Sequence, residues 1–65
     1  MKIRYFEDTD TLYIEFKPGT VTDARDLDED TLIELDDARQ VLAITIEHAQ
    51  ARAEIPTFSY EQIAA

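Results

Sequence analysis

The sequence predicts a mainly β protein: a five-stranded antiparallel sheet connected as a meander. Three observations support this fold class. Short segments alternate apolar and polar residues with a period of two, they recur about every ten residues, and turn-forming Asp, Pro and Gly residues separate them. The predicted strands cover residues 2–6, 11–16, 21–27, 31–35 and 41–47.

The first two strands form a hairpin across the polar turn EDTD, because Asp side chains hydrogen-bond nearby backbone groups. Alternation places Ile3 and Tyr5 on one face of the first strand. In the second strand it places Leu12 and Ile14 on one face. Each of these strands therefore has a largely apolar face.

A second turn follows at the segment KPGT. Pro18 presets φ, and Gly19, the only glycine, is expected to supply the positive φ of a type II turn. The third strand carries Asp23, Arg25 and Asp26. Such a strand suits the edge of a sheet, because its charges discourage pairing with another sheet.

The stretch that ends in VLAITIE, residues 41–47, organises the rest of the chain. It is the most apolar segment, with Leu42, Ile44 and Ile46 directed inward, and we expect it to lie centrally in the sheet. A polar loop joins it to the preceding strand, TLIEL, which is partly apolar on both faces.

The chain is expected to form one domain, residues 1–65, with the sheet in residues 1–48 and a C-terminal tail in residues 49–65. The alanine-rich start of the tail favours a short helical turn that Pro56 limits, and Ser59 is a candidate N-cap for another. A helical tail would make the fold α+β. The alternative is an extended tail, and in either form it would pack on its own sheet or on a partner subunit.

The small core favours self-association. Only seventeen large apolar side chains are present, counting Ile, Leu, Val and Phe, and there is no cysteine to form a disulfide. A domain of this size buries only about 60% of the surface that its unfolded chain exposes. We therefore expect a homodimer.

The charge of the chain bears on its partners. Fifteen acidic and six basic residues give a formal net charge of -9. Nucleic acids and anionic membranes are disfavoured, because binding them depends on Lys and Arg. The acidity suits either solubility or a basic protein partner. With no N-terminal apolar signal region and no apolar run of about 20 residues, a cytoplasmic protein is expected.

The acidic segment DLDED, residues 26–30, is the main candidate for metal or acid–base chemistry. Asp26, Asp28 and Asp30 have the spacing with which a calcium loop begins, but the loop also needs glycine and glutamate where this chain has Thr31 and Asp37. A solvated turn between strands is the alternative. We expect no cofactor.

His48 is the only histidine. It could join Asp26, Asp28 and Asp30 in a carboxylate-based metal site or enzyme. However, without cysteine or a second histidine the ligand set is poor for zinc. We interpret His48 as a half-buried structural residue and expect no catalytic residues.

Aromatic and aliphatic side chains outside the predicted core are candidates for an interface, since Tyr is enriched in interface cores. These residues are Tyr5, Tyr13, Ile55, Phe58, Tyr60 and Ile63. For Tyr5 and Tyr13 the alternative is that they are cross-strand neighbours in the first hairpin.

Three segments carry a resemblance to a known family: MKIRYFEDTDTLYIEF, VTDARDLDED and AITIEHAQARA. They resemble small bacterial proteins of the domain-of-unknown-function 2283 family over nearly residues 1–52. The resemblance implies no established activity, cofactor or catalytic residue, and some members are similar to predicted antitoxins. Arg39 and Ala43 stand where family members usually have glycine, so the loop before the last strand could differ in shape.

Together these observations favour a non-enzymatic protein–protein interaction module, with an antitoxin-like role as one form of it. A carboxylate-based metal-binding protein or enzyme is the alternative.

Overall fold

The computed structural model describes residues 1–64. Its elements are β1 (Lys2–Phe6), β2 (Thr11–Glu15), β3 (Asp23–Asp28), β4 (Thr31–Leu35), β5 (Val41–Glu47) and a 3-10 turn (Ala49–Ala51). The five strands form one antiparallel sheet, which confirms the mainly β fold class.

The strand order is β1-β2-β5-β4-β3. The predicted meander is therefore wrong in its connection from β2 to β3, because β2 pairs with β5. The central place of β5 and the edge place of β3 are confirmed. The physical reason is that the most apolar strand gains two neighbours in the middle, whereas the charged β3 is best left at an edge.

The connection from β2 to β3, residues 16–22, follows the end of the sheet. Phe16 donates its backbone N–H to the Leu42 carbonyl at 2.8 Å, and Thr22 donates to the Leu35 carbonyl at 2.9 Å. Gly19 does not have a positive φ, so the predicted type II turn is wrong. Glycine suits this position for another reason: the backbone passes so close to the Leu42 side chain that a Cβ here would lie 2.9 Å from Cδ2 of Leu42.

The edge strand β3 contains a bulge. Asp26 pairs with Leu32 and Asp28 with Thr31, which leaves Leu27 without a partner. Leu27 is 63% exposed. A bulge and a charged sequence both make this edge a poor template for a further strand.

The loop between β4 and β5 contains a residue in the left-handed conformation that glycine usually adopts. Asp36 accepts the backbone N–H groups of Ala38 and Gln40, both at 2.9 Å, and Arg39 adopts a φ of 67°. The residue that replaces the family's glycine thus takes the left-handed conformation itself.

The C-terminal residues form one short turn and then an irregular segment. Ala49 is fully buried at the start of the 3-10 turn. Residues 52–64, which we call the terminal segment, contain no helix or strand, so the helix start predicted at Ser59 is wrong. A short helix needs docking to be stable, and Ile63, which would supply it, is 80% exposed.

The core within residues 1–64 is small. Its buried apolar residues are Leu12, Leu35, Leu42, Ala43 and Ala49. The principal extents are 36 × 33 × 17 Å, so the molecule is one sheet thick. The described residues consequently supply no complete second layer to the sheet.

Candidate interaction surface

One face of the sheet is apolar across four strands. The register aligns four isoleucines, one each on β1, β2, β5 and β4: Ile3, Ile14, Ile44 and Ile33. Directly opposed residues of a sheet project from the same face. These four side chains therefore form a single line, which we call the isoleucine row.

A second line of paired residues lies on the same face, two positions along each strand. It consists of Tyr5, Leu12, Ile46 and Thr31. We call the isoleucine row together with this second line the apolar face. The opposite face, which carries Glu15, Glu34 and Thr45, is the polar face.

The apolar face remains at the surface of the chain. Ile14, Ile33, Ile44 and Ile46 are only half-buried, and Ile3 is 38% exposed. Among the described residues, no large side chain falls below 2% exposure. Several side chains that the alternating pattern assigned to a core thus remain partly accessible to solvent.

The terminal segment covers one half of this face. Ile55 is half-buried, and residues 53–58 border a cleft of about 270 Å³ above Ile3, Leu12 and Ile14. We call this side, on β1 and β2, the covered half. On the side of β4 and β5, Leu35 and Leu42 are buried, with Gly19 against Leu42, and Ile33, Ile44 and Ile46 are half-buried.

Asp10 fixes the point from which the terminal segment starts. Its carboxylate accepts the Tyr5 hydroxyl at 2.6 Å and the Gln50 backbone N–H at 3.2 Å. Its carbonyl accepts the Ala49 N–H at 3.0 Å. The hydrogen bond to Asp10 and partial burial raise the pKa of Tyr5 above its ordinary value.

A second set of contacts attaches this turn to the β3–β4 hairpin. Arg52 donates to the Asp28 carboxylate at 3.3 Å and also to the Thr31 hydroxyl. The backbone N–H of Asp30, then the Thr31 hydroxyl and the Arg52 charge, hold the pKa of Asp28 below its usual range. The 3-10 turn is thus attached to both hairpins at one end of the sheet.

His48 is exposed, contrary to the half-buried site expected from alternation. It has a φ of 53° and lies outside β5, so the strand's alternation no longer determines its direction. Its Nδ1 lies 2.9 Å from Oδ1 of Asp30. That hydrogen bond, with the Asp30 charge, raises the pKa of His48.

The carboxylates of the predicted acidic site do not form one cluster, although Asp26 and Asp30 border a common cleft. Asp28 faces Arg52, Asp30 faces His48, and Asp26 pairs in register with Leu32 on the polar face. Within residues 1–64, no group of three or more His, Cys, Asp or Glu side chains has a geometry that could hold a metal ion.

Two of the predicted interface residues separate onto opposite faces. Tyr5 pairs with Leu12 on the apolar face, whereas Tyr13 pairs with Arg4 on the polar face. They are therefore not cross-strand neighbours, and that alternative is wrong. The Tyr5 hydroxyl donates a hydrogen bond to Asp10. Tyr13 is half-buried on the polar face.

The other predicted interface residues lie on the terminal segment. Ile55 packs toward the covered half, whereas Phe58, Tyr60 and Ile63 are 64%, 74% and 80% exposed. Phe58 and Tyr60 border an open cleft with Met1 and Ile3 beside β1. The segment therefore presents aromatic side chains at that edge of the sheet.

Sequence reasoning did not identify the isoleucine row as a surface. Each strand of the row showed its alternation, but the alignment of the four depends on which strands are neighbours. The recurrence of isoleucine in each of these four strands is the signal that could have suggested it.

These features define a class of protein: a small single-layer antiparallel sheet with a partly covered apolar face and an irregular C-terminal segment. The chain matches the family model described as protein of unknown function (DUF2283) over residues 2–50. It belongs to this family, which confirms the resemblance. The match includes all five strands and ends before the terminal segment.

No curated protein and no solved structure matches the chain. Across residues 1–64, no helix has both the length and the apolar composition needed to cross a bilayer.

Proposed function

We propose that the protein is a non-enzymatic interaction module that self-associates through its apolar face. The observation that carries this proposal is the partly exposed isoleucine row on a sheet without a complete second layer. Contiguous apolar surface of this kind typically marks a contact with another protein. A second copy of the chain would supply the missing layer, since two sheets pack face to face about 10 Å apart.

The exposed area agrees with a contact of ordinary size. The chain exposes 5182 Å². A folded monomer of the same mass, 7.5 kDa, exposes about 4,200 Å². The excess of about 1,000 Å² is similar to the roughly 800 Å² that each partner buries in a standard interface.

The distribution of charge also permits two acidic chains to meet. The isoleucine row continues in register to Arg25 on β3, so its only charged neighbour in line is basic. Glu15 and Glu34 lie on the polar face, beside Ala43. Face-to-face association therefore leaves these carboxylates in water, where they keep their solvation.

Two aspartate substitutions on adjacent residues of β5 test this proposal. Ile44→Asp places a charge on the apolar face, and Thr45→Asp places the same charge on the polar face. In a symmetric dimer the first change removes two buried isoleucines, each worth about 2 kcal/mol. We expect the dimer dissociation constant, measured by sedimentation equilibrium, to rise at least about 100-fold for Ile44→Asp. For Thr45→Asp it should remain nearly unchanged.

Circular dichroism of both variants must show an intact sheet. If Ile44→Asp does not fold, Ile44→Ala replaces it and should still weaken the dimer. A wild-type chain that sediments at 7.5 kDa at all concentrations would contradict the proposal.

A basic protein is a second candidate partner, and an antitoxin-like role would be one form of it. The net charge of -9 supports this, as does the concentration of carboxylates in the turns beside the 3-10 turn. Complementary charge accelerates such an encounter. Its affinity for a small basic toxin encoded beside it should fall steeply with added salt, and an affinity independent of salt would exclude this form of binding.

A further inference from the structure

We infer that the terminal segment is a displaceable cover: in a single chain it occupies part of the apolar face, and a second copy displaces it on association. This inference rests on the proposed self-association and concerns how that association is regulated. The family match ends at residue 50, before the segment begins. The segment is thus an addition to the sheet that the family model describes.

The cover and a second copy compete for the same space. Residues 53–58 border a common cleft with Ile3, Leu12 and Ile14, which belong to β1 and β2. Two sheets that pack face to face lie about 10 Å apart, and their own side chains fill that distance. A further run of backbone does not fit between them. The second copy therefore reaches these three residues only after the segment has moved away.

The segment is held to the sheet by few contacts. Along the described chain, the last hydrogen bond is the one that the Ala53 N–H donates to the Ala49 carbonyl at 2.9 Å. Ile55 is half-buried, whereas every other residue of the terminal segment is exposed. A single partly buried side chain thus anchors the segment, and the loss of that one contact is enough to release it.

The packing beneath the segment is incomplete. A cleft of about 270 Å³ remains between the segment and the sheet, and Ile3 is still 38% exposed. Close-packed proteins contain few voids larger than a water molecule. The side chains of a second sheet would remove more apolar surface from water than the segment does, and a second copy therefore replaces the segment.

The chain that precedes the segment is fixed, which gives the movement a defined starting point. The Gln50 N–H donates to the Asp10 carboxylate at 3.2 Å, and Arg52 donates to the Asp28 carboxylate at 3.3 Å. These contacts hold the 3-10 turn to both hairpins at one end of the sheet. The segment therefore moves about residue 53 while the sheet and the turn keep their structure.

A matched pair of serine substitutions in the terminal segment tests the inference. Ile55→Ser removes the partly buried anchor, and Ile63→Ser makes the same chemical change at a residue that is 80% exposed. Both chains must open before they associate, so the closed population weakens the dimer once for each subunit. We expect the dimer dissociation constant, measured by sedimentation equilibrium, to fall by about 10-fold for Ile55→Ser. For Ile63→Ser it should stay unchanged.

The movement itself can be measured on the wild-type chain by NMR with a soluble paramagnetic probe. As the protein concentration rises, the methyl groups of Ile55 should become more accessible to the probe, whereas those of Ile44 become protected. The methyl groups of Ile63, which is 80% exposed, should be accessible throughout. This measurement needs no substitution, so it decides the question even if Ile55→Ser does not fold.

Three outcomes would overturn the inference and leave the proposed self-association intact. A dimer that Ile55→Ser weakens, or Ile55 methyl groups that become more protected as the dimer forms, would show that the segment belongs to the interface. An unchanged dissociation constant for Ile55→Ser would show that the segment does not compete with the second copy. Failure of the self-association itself is seen separately, as a wild-type chain that stays at 7.5 kDa at every concentration.

Discussion

Within residues 1–64, three residues other than glycine have a positive φ: Asp10, Arg39 and His48. Such a conformation costs about 1–2 kcal/mol for most residues, so a contact of the side chain usually accompanies it. Asp10 accepts hydrogen bonds from Tyr5 and Gln50. Aspartate also adopts the left-handed conformation more readily than most residues. The side chains of Arg39 and His48 each contact an aspartate.

Arg39 provides a test of backbone strain. Its guanidinium lies 2.9 Å from Asp23, but both side chains are about half exposed, so the ion pair contributes little. Both Arg39→Gly and Arg39→Ala remove the pair, and only glycine relieves the strained φ of 67°. We expect Arg39→Gly to exceed Arg39→Ala in free energy of unfolding by about 1 kcal/mol, measured with urea.

The neighbouring residue supplies the control for this comparison. Ala38 has no positive φ, so Ala38→Gly should lower the free energy of unfolding, by about 0.4–1 kcal/mol. Equal stabilities of Arg39→Gly and Arg39→Ala would show that the loop relaxes and that the residue is not strained.

His48 gives a pH dependence whose sign is fixed by its contact with Asp30. The aspartate stabilises the imidazolium, so the pKa of His48 is raised in the folded state. The resulting stabilisation is fully present below the unfolded pKa of about 6.5, and it is lost as the pH rises through the raised folded value. Because the ring is exposed, the effect on stability is expected to be small, and the pKa is the better observable.

NMR titration of the imidazole measures it directly. The pKa of His48 should fall toward its ordinary value in Asp30→Asn, because the main cause of the shift is removed. Glu47→Gln, which removes a more distant carboxylate, should lower the pKa less. An unchanged pKa in Asp30→Asn would mean that the contact does not persist in solution.

At the scale of single elements, local pattern predicted the strands well. The bounds of β1, β4 and β5 agree with the predicted ranges, β2 ends one residue earlier than predicted, and β3 starts two residues later and ends one residue later. Alternation is a local property of the chain, so it can be recognised without knowledge of the neighbours. The charge of β3 and the apolar character of β5 likewise predicted their positions at the edge and at the centre.

Features that depend on distant contacts were not predictable in this way. The pairing of β2 with β5 joins segments about 30 residues apart, and nothing in the KPGT turn distinguishes a hairpin from a connection along the sheet's end. The role of Gly19 was misassigned for the same reason. Gly19 contacts Leu42, which lies on β5 and is distant from the KPGT segment in the sequence.

Gly19→Ala tests that contact between a connection and a strand. The new Cβ would lie 2.9 Å from Cδ2 of Leu42, which is itself buried and has little room to move. Overpacking of this kind typically costs about 1–3 kcal/mol, and we expect a loss of that size in the free energy of unfolding.

A double-mutant cycle separates this cause from others. Gly19→Ala should cost less when introduced into Leu42→Ala, because the shortened side chain leaves room for the new methyl group. Additive effects of the two substitutions would indicate that Gly19 is needed for a reason other than its contact with Leu42.

At the scale of the whole molecule, the sequence already indicated that the core is too small for a self-sufficient chain. In the structure, the incompletely buried isoleucines align on one face of the sheet. Association through this face would give the sheet its second layer, and the terminal segment, which lies outside the family match, would border the contact.

The most direct test of this account is the solvent accessibility of the isoleucine methyl groups in solution. A soluble paramagnetic probe broadens the NMR signals of methyl groups that it can reach. The account predicts that the methyl groups of Ile33 and Ile44 are protected at high protein concentration and become accessible on dilution, whereas Leu27, which is 63% exposed, is accessible throughout. Methyl groups of Ile33 and Ile44 as accessible as those of Leu27 at every concentration would contradict it.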